Sequence, residues 1–315
     1  MIVARSLDDL RKDSNSVVTV GTFDGVHLAH QEIVREVVQR AAMKGGRSVV
    51  VTFDPHPKEV VASAKGPVSL LTTIAERIEI LSGSGIDVLF IIEFTREFSR
   101  LSSHEFYERY LVNGTGVGEV VVGYDHMFGR DRQGTIEELL GMGKTFGFTV
   151  HAFHPYTVNG EIVSSTLIRK ALAAGDVERA RIFLGRNYSL HGSVVRGDGR
   201  GATIGFPTAN IEPDSQRKLI PARGVYLVAA TVRETRVFGM LNIGVVPTFT
   251  DGVRQTMEVH LFDFAEEIYD EQVTITFLKR LRDERKFPSA QELVQQLERD
   301  KEESLRFIAE QEQSF

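Results

Sequence analysis

His27 and His30 stand three residues apart in the decapeptide Gly21-Thr-Phe-Asp-Gly-Val-His-Leu-Ala-His30, and the chemistry this spacing suits is the holding of an anion. The β-branched run Val17–Val20 before it reads as a strand buried on both faces. Ile33, Val34, Val37, Val38 and Ala41 then recur at helical spacing between Gln31 and Lys44, and Gly45-Gly46 supplies a stop. Gly21 and Gly25 therefore fall in a strand-to-helix turn. There the missing Cβ lets a ligand approach the backbone, and the helix start offers unpaired N–H groups to negative charge. Two histidines near a helix start can also be purely structural; the glycines and Asp24 around this pair favour phosphate.

A second dense group is Gly197-Asp-Gly-Arg-Gly-Ala-Thr-Ile-Gly-Phe-Pro-Thr-Ala-Asn210. It completes no Gly-x-Gly-x-x-Gly and has no Gly-Lys-Ser/Thr, which argues against a dinucleotide fold or a P-loop. Thr208 and Asn210 fall on one face of an extended segment. Three further segments carry polar groups at the ends of apolar runs. Thr52–Pro57 holds Asp54 and His56, and Val122–Gly129 holds Gly123, Asp125, Phe128 and Gly129, with Arg130 and Arg132 following. Ile162–Arg169 holds Ser164, Ser165, Thr166 and Arg169 where a helix opens, a place where a plain N-cap would use the same residues. Glu258 lies in the strand-like run Met257–Phe264, where a glutamate ordinarily faces solvent.

The elements that must position these groups fall into two textures. Up to about residue 184, the apolar runs Val17–Val20, Ser48–Phe53, Asp87–Ile92, Glu119–Val122 and Phe148–Phe153 alternate with helical stretches such as Ile74–Leu81 and Ser103–Leu111. This alternation predicts a parallel sheet covered by helices, with ligands at the C-terminal ends of its strands. From Gly185 onward, short alternating strands at Leu190–Arg196, Gly224–Val232, Val237–Asn242, Met257–Phe262 and Gln272–Phe277 predict a small antiparallel barrel or sandwich. One closing helix opens near Ser289 and is expected to turn Leu293, Leu297 and Leu305 toward the core. The expected domains are residues 1–184 and 185–315.

Bulk properties narrow the function classes. With 315 residues the chain has room for two ordinary cores, and with no cysteine it has no disulfide, thiolate metal site or cysteine nucleophile, which fits a cytoplasmic location. A net charge of −6 argues against nucleic acid as a partner, because that binding needs a basic surface. No signal-peptide core opens the sequence and no apolar run reaches the roughly 18 residues of a membrane span, so no membrane association is expected. No segment dictates an oligomeric state.

The decapeptide resembles the histidine signature of the nucleotidylyltransferase superfamily, and Gly-Thr-Phe-Asp-Gly-Val-His in particular resembles the bacterial FMN adenylyltransferases. The resemblance implies a Rossmann-like domain in which Gly21, Phe23, Asp24, His27 and His30 hold ATP. In such a domain the FMN phosphate attacks the α-phosphorus and pyrophosphate leaves. It makes Ser164, Ser165, Thr166 and Arg169 a second phosphate group, with Arg169 against the leaving pyrophosphate, and gives Asp54, His56, Gly123, Asp125, Phe128 and Gly129 to the flavin. Ala29 stands where the family usually has glycine, and His126 and Met127 also depart from its usual choices.

Gly205-Phe-Pro-Thr-Ala-Asn210 is similar to the signature of riboflavin kinases, and Pro221–Tyr226, Leu241–Phe249 and Leu281–Phe287 match further segments of that family. This second resemblance implies a barrel in which Gly199, Gly205, Thr208 and Asn210 hold Mg²⁺ and the ATP phosphates. Glu258 accepts the proton of the ribityl 5′-hydroxyl, and Gly224, Tyr226 and Arg282 meet the flavin. Together the resemblances imply riboflavin, FMN and ATP as substrates, Mg²⁺ as cofactor, and FAD as final product. Two other readings remain open from sequence. One is a nucleotidylyltransferase for a different phosphate with a binding-only barrel; the other is a catalytically dead flavin- or nucleotide-binding regulator.

Overall fold

The computed structural model describes residues 1–61, 68–123, 134–197, 200–247 and 253–312. The first half runs β1 (Ile2–Ala4), β2 (Ser16–Val20), α1 (Leu28–Lys44), β3 (Ser48–Asp54), α2 (Pro57–Val61), α3 (Ile74–Ser82), β4 (Val88–Glu93), α4 (Ser103–Phe106), β5 (Val117–Gly123), α5 (Ile136–Phe146) and β6 (Thr149–Phe153). A two-stranded hairpin of β7 (Thr157–Val158) and β8 (Glu161–Ile162) follows, then α6 (Ser165–Ala173) and α7 (Val177–Leu184). The second half contains β9 (Ser189–Val195), β10 (Ala209–Pro213), β11 (Gly224–Val232), β12 (Thr235–Pro247), β13 (Val253–Leu261), β14 (Gln272–Arg282) and α8 (Ala290–Glu312).

The six strands of the first half form one parallel sheet in the order β1-β4-β3-β2-β5-β6. Its central strands are buried on both faces, as their near-continuous apolar sequences require. One face packs Val18, Val49, Val51 and Phe90 against Phe106, Tyr107 and Leu111. The other packs Val50, Leu89 and Ile91 against Val34, Leu81 and Phe23 and Val26 of the decapeptide. The stretch expected as one helix over Ser103–Leu111 begins as α4 and then widens into a π-helical segment, Tyr107–Thr115.

The antiparallel half resolves as a barrel rather than a sandwich: β10-β13-β12-β11-β14-β9 close on one another. Tyr226, Leu241, Ile243, Val259, Ile275 and Phe277 fill its interior, none more than 1% exposed. Val225, Leu227, Met240 and Phe262 form an apolar patch on the outward face, covered by Leu297, Phe307 and Ile308 of α8. Leu305 departs from its expected position, being 44% exposed. At about 100° per residue the row continuing from Leu297 passes through Ser304 rather than Leu305, and Ser304 is fully buried.

By their internal packing the residues divide into two compact units, Met1–Ser165 and Thr166–Phe315. The sequence texture changes at residue 184, later than this division, because α6 and α7 pack with the barrel: the Ala222 N–H donates to Leu172 O at 3.0 Å, and α7 lies on β14. Among the described residues no helix is long and apolar enough to cross a membrane.

Candidate functional site

The decapeptide sits at the C-terminal end of β2, in the centre of the parallel sheet, where open α/β sheets place their ligands. Its backbone is bent hard. Phe23, Gly25 and Val26 have φ of 47°, 87° and 38°. Only the glycine adopts this left-handed region without strain, and a β-branched residue such as Val26 is an outlier there. Such a conformation persists when its surroundings over-determine it, and five bonds do so. The Thr52 hydroxyl donates to Thr22 O at 3.1 Å, the Gly25 N–H to Thr72 Oγ1 at 2.9 Å, the Gln31 amide to Val26 O at 2.8 Å, the Ser165 hydroxyl to Asp24 O at 2.9 Å, and the Val26 N–H to Phe23 O at 3.0 Å.

The two histidines end up face to face. His27 is the N-cap of α1, its Nδ1 accepting from the His30 N–H at 3.4 Å, and the two rings stack with centroids 3.6 Å apart and planes 16° apart. Phe23 props the other side of His30, with ring centroids 5.0 Å apart. Two expected phosphate ligands therefore do different work. Phe23 is 2% exposed and belongs to the apolar core. Asp24 is 1% exposed and turns its carboxylate inward, accepting from the Leu71 and Thr72 N–H groups at 2.9 Å each. The Thr72 hydroxyl donates to the same carboxylate at 3.3 Å. Asp24 instead ties the loop to the segment that opens α3.

Asp54 ends β3 next to this loop, and His56 follows, buried, its Nδ1 accepting from the Lys58 N–H at 3.2 Å. Gly123 ends β5 on the other side of β2. Asp125, Phe128 and Gly129 lie outside the described residues. Ser164 precedes α6, Ser165 opens it, and Thr166 and Arg169 lie in its first turns.

In the barrel, strand register assembles a second group. Asn210 pairs with Glu258, Glu258 with Asn242, Asn242 with Val225, and Val225 with Arg282, giving one row across β10, β13, β12, β11 and β14. Directly opposed antiparallel residues share a face, and Val225 marks this face as the outward one under α8. The row thus brings together three polar residues that the sequence separates by as much as 72 positions, and adds Asn242, which no spacing singled out. Arg282 is fixed from α8 by Asp300, Nε to Oδ2 2.8 Å. Asn210 lies against the backbone of Gly197: a Cβ there would sit 1.8 Å from its Nδ2. A Cβ on Gly201 would meet Phe206 O at 2.2 Å and the Thr208 hydroxyl at 3.1 Å. A cleft of about 610 Å³ opens farther along β13, lined by Gly205, Phe206, His260, Asp263, Glu298 and Lys301 among others and by none of the row's residues.

Residues 9–167 match the FAD synthetase family and residues 184–308 the riboflavin kinase family. The chain belongs to the bifunctional riboflavin kinase/FMN adenylyltransferase family. It is 38% identical to the bifunctional riboflavin kinase/FMN adenylyltransferase of Listeria monocytogenes over 95% of this chain and 95% of the relative. It is also 38% identical to the Bacillus subtilis protein of the same name, over 95% and 94%. A crystal structure from Streptococcus pneumoniae, described as a macrolide-efflux protein, shares its fold with a TM-score of 0.85 and 34% identity, covering 96% of this chain and 97% of that one.

Within this riboflavin kinase/FMN adenylyltransferase chain, two expected flavin contacts are packing residues. Tyr226 is 0% exposed, its ring inside the barrel edge-on to Phe277 and its hydroxyl donating to Ala222 O, so it has no face to offer a ligand. Burial pushes its hydroxyl pKa up despite the neighbouring Arg280. Gly224 gives close approach instead of contact: a Cβ there would lie 2.7 Å from Arg282 O. Gly199 lies outside the described residues, and Gly205, with φ of 83°, turns the chain into β10.

Proposed function

We propose that this chain makes FAD from riboflavin in two ATP-dependent steps, phosphorylating riboflavin to FMN in residues 185–315 and adenylylating FMN, with release of pyrophosphate, in residues 1–184. The observation that carries this reading is the cross-strand row Asn210–Glu258–Asn242, because it gives the barrel a carboxylate set between two amide side chains. A barrel that only bound substrate would need no such base.

In the kinase step Glu258 takes the proton of the ribityl 5′-hydroxyl as that oxygen attacks the γ-phosphorus, while Arg282, held by Asp300, faces the flavin. Thr208 and Asn210 offer oxygen donors, the class Mg²⁺ prefers, on backbone that two glycines let close in around them. They would hold Mg²⁺, which when bound neutralises charge on the ATP phosphates. In the adenylylation step His27 and His30 steady the ATP phosphates with Gly21 and the start of α1. Ser164, Ser165, Thr166 and Arg169 form the second phosphate-holding group, and Asp54, His56 and Gly123 flank the flavin. Direct attack of the FMN phosphate requires no covalent enzyme intermediate, so catalysis here is chiefly positioning and charge stabilisation.

Incubating the purified chain with riboflavin and Mg-ATP and separating the products by chromatography tests this. FMN followed by FAD is expected. Absence of both sinks the reading, and FAD formed from added FMN with no FMN from riboflavin makes the barrel a binding module.

A further inference from the structure

Arg77 of α3 is 2% exposed, a guanidinium sunk behind the C-terminal ends of β2 and β3. It belongs to no motif that the sequence analysis singled out. Its Nη1 donates to Thr52 Oγ1 at 3.0 Å and to Phe53 O at 3.3 Å. Thr52 Oγ1 in turn donates to Thr22 O at 3.1 Å, inside the strained decapeptide. The carboxylates of Asp24, Asp54 and Glu76 surround the guanidinium and offset part of the cost of its burial.

The polarity of this chain of bonds is fixed by chemistry. A guanidinium only donates, so the Thr52 hydroxyl must accept from Arg77 and spend its single proton on another acceptor. The acceptor within reach is Thr22 O, the carbonyl that enters the left-handed turn at Phe23. The same Nη1 holds Phe53 O, one residue before Asp54. One buried cation thus sets the backbone at the exits of two adjacent strands, one leading to the histidines and the other to Asp54 and His56.

We propose that Arg77 is a positioning residue for adenylyl transfer, acting through the Thr52 proton to fix the loop that presents the ATP phosphates relative to the loop that receives FMN. This rests on the first unit being the adenylyltransferase. Misplacing two bound reactants lowers kcat more than it raises either KM, because near-attack geometry is lost while most ground-state contacts survive.

The test is a double-mutant cycle in the full chain. Steady-state FMN adenylylation is measured for wild type, Arg77→Met, Thr52→Val and the double variant, with riboflavin phosphorylation in the same preparations as the control. Arg77→Met and Thr52→Val are each expected to lower kcat for FAD formation about tenfold, with KM for ATP and FMN within about twofold, and the double variant to be no worse than Thr52→Val alone. Arg77→Lys, which keeps a donor, is expected to restore most of kcat. Multiplicative losses in the double variant, a Thr52→Val enzyme with wild-type kcat, or a kinase activity that falls in parallel each overturn the proposal. Should Arg77→Met fail to fold, Thr52→Val and Arg77→Lys still decide it. A wild-type chain that makes no FAD refutes the underlying functional reading instead, and the two failures are thereby told apart.

Discussion

The two candidate sites are built on opposite principles. The histidine loop at the end of β2 is a strained turn whose shape depends on side chains reaching in from β3, from the segment before α3 and from α6. The barrel row is unstrained: Asn210, Glu258 and Asn242 face together because the ladder pairs them. A loop site can be disordered by losing one tether, whereas a ladder site moves only if a strand slips register, which would bury its polar face. The first kind leaves a loop that can adjust, and the second holds a side chain in place.

The comparison breaks most sharply at the chemical groups themselves. Glu258→Gln is expected to lower riboflavin phosphorylation by about two to three orders of magnitude while FMN adenylylation persists, since loss of a general base typically costs about 10²–10⁴-fold. His30→Ala is expected to do the reverse. Separate product chromatography from riboflavin and from FMN checks both, and equal loss of the two activities in either folded variant defeats the assignment.

A smaller effect separates tether from ligand. Asp24→Asn puts an amide where two backbone N–H groups now donate. Losing charge-assisted bonds of about 2 kcal/mol lowers the melting temperature of the first unit by about 5 °C, with kinase activity retained. An unchanged melting curve together with a raised KM for ATP would return Asp24 to the ligand shell.

The smallest effect concerns the far end of α1. Glu119 of β5 has a nearly buried side chain that pairs with Lys44 and, at 2.7 Å, with Arg40. Desolvation pushes its pKa up, but the hydrogen bond and charge of Lys44 and the charge of Arg40 outweigh it, and the net effect is to lower it. A carboxyl with a depressed folded pKa stabilises above its unfolded value, and that stability is lost as pH falls through the folded value. Glu119→Gln is therefore expected to show a shallower loss of stability than wild type as pH is lowered below about 4.5, measured by urea denaturation at a series of pH values. Parallel acid limbs would mean that the helix is held elsewhere.

What the amino-acid sequence reveals follows the same division. Strands such as Val17–Val20 and helices such as α3, expected over Ile74–Leu81 and found over Ile74–Ser82, are legible because periodicity is local. The short β1 escapes because three residues carry no period. Histidines, the serine-rich turn and Glu258 stand out by residue type. Thr52, Thr72 and Arg77 do not, since each is one polar residue in an ordinary element and acquires meaning only when bonds spanning 25 to 47 positions are known. Asn242 is hidden for a related reason: the register that sets it opposite Glu258 is a property of two strands, not of either alone. Tyr226 and Phe23 mislead in the opposite direction, as motif residues whose service is to packing.

The bond from the Ser165 hydroxyl to Asp24 O spans 141 positions. During synthesis at about 5–20 residues per second, residue 24 leaves the ribosome on the order of ten seconds before its partner does. The histidine turn therefore cannot be fully fastened while the sheet is still being made. The nascent chain completes the fastening of this turn only as the opening residue of α6 emerges, when the whole first unit has been translated.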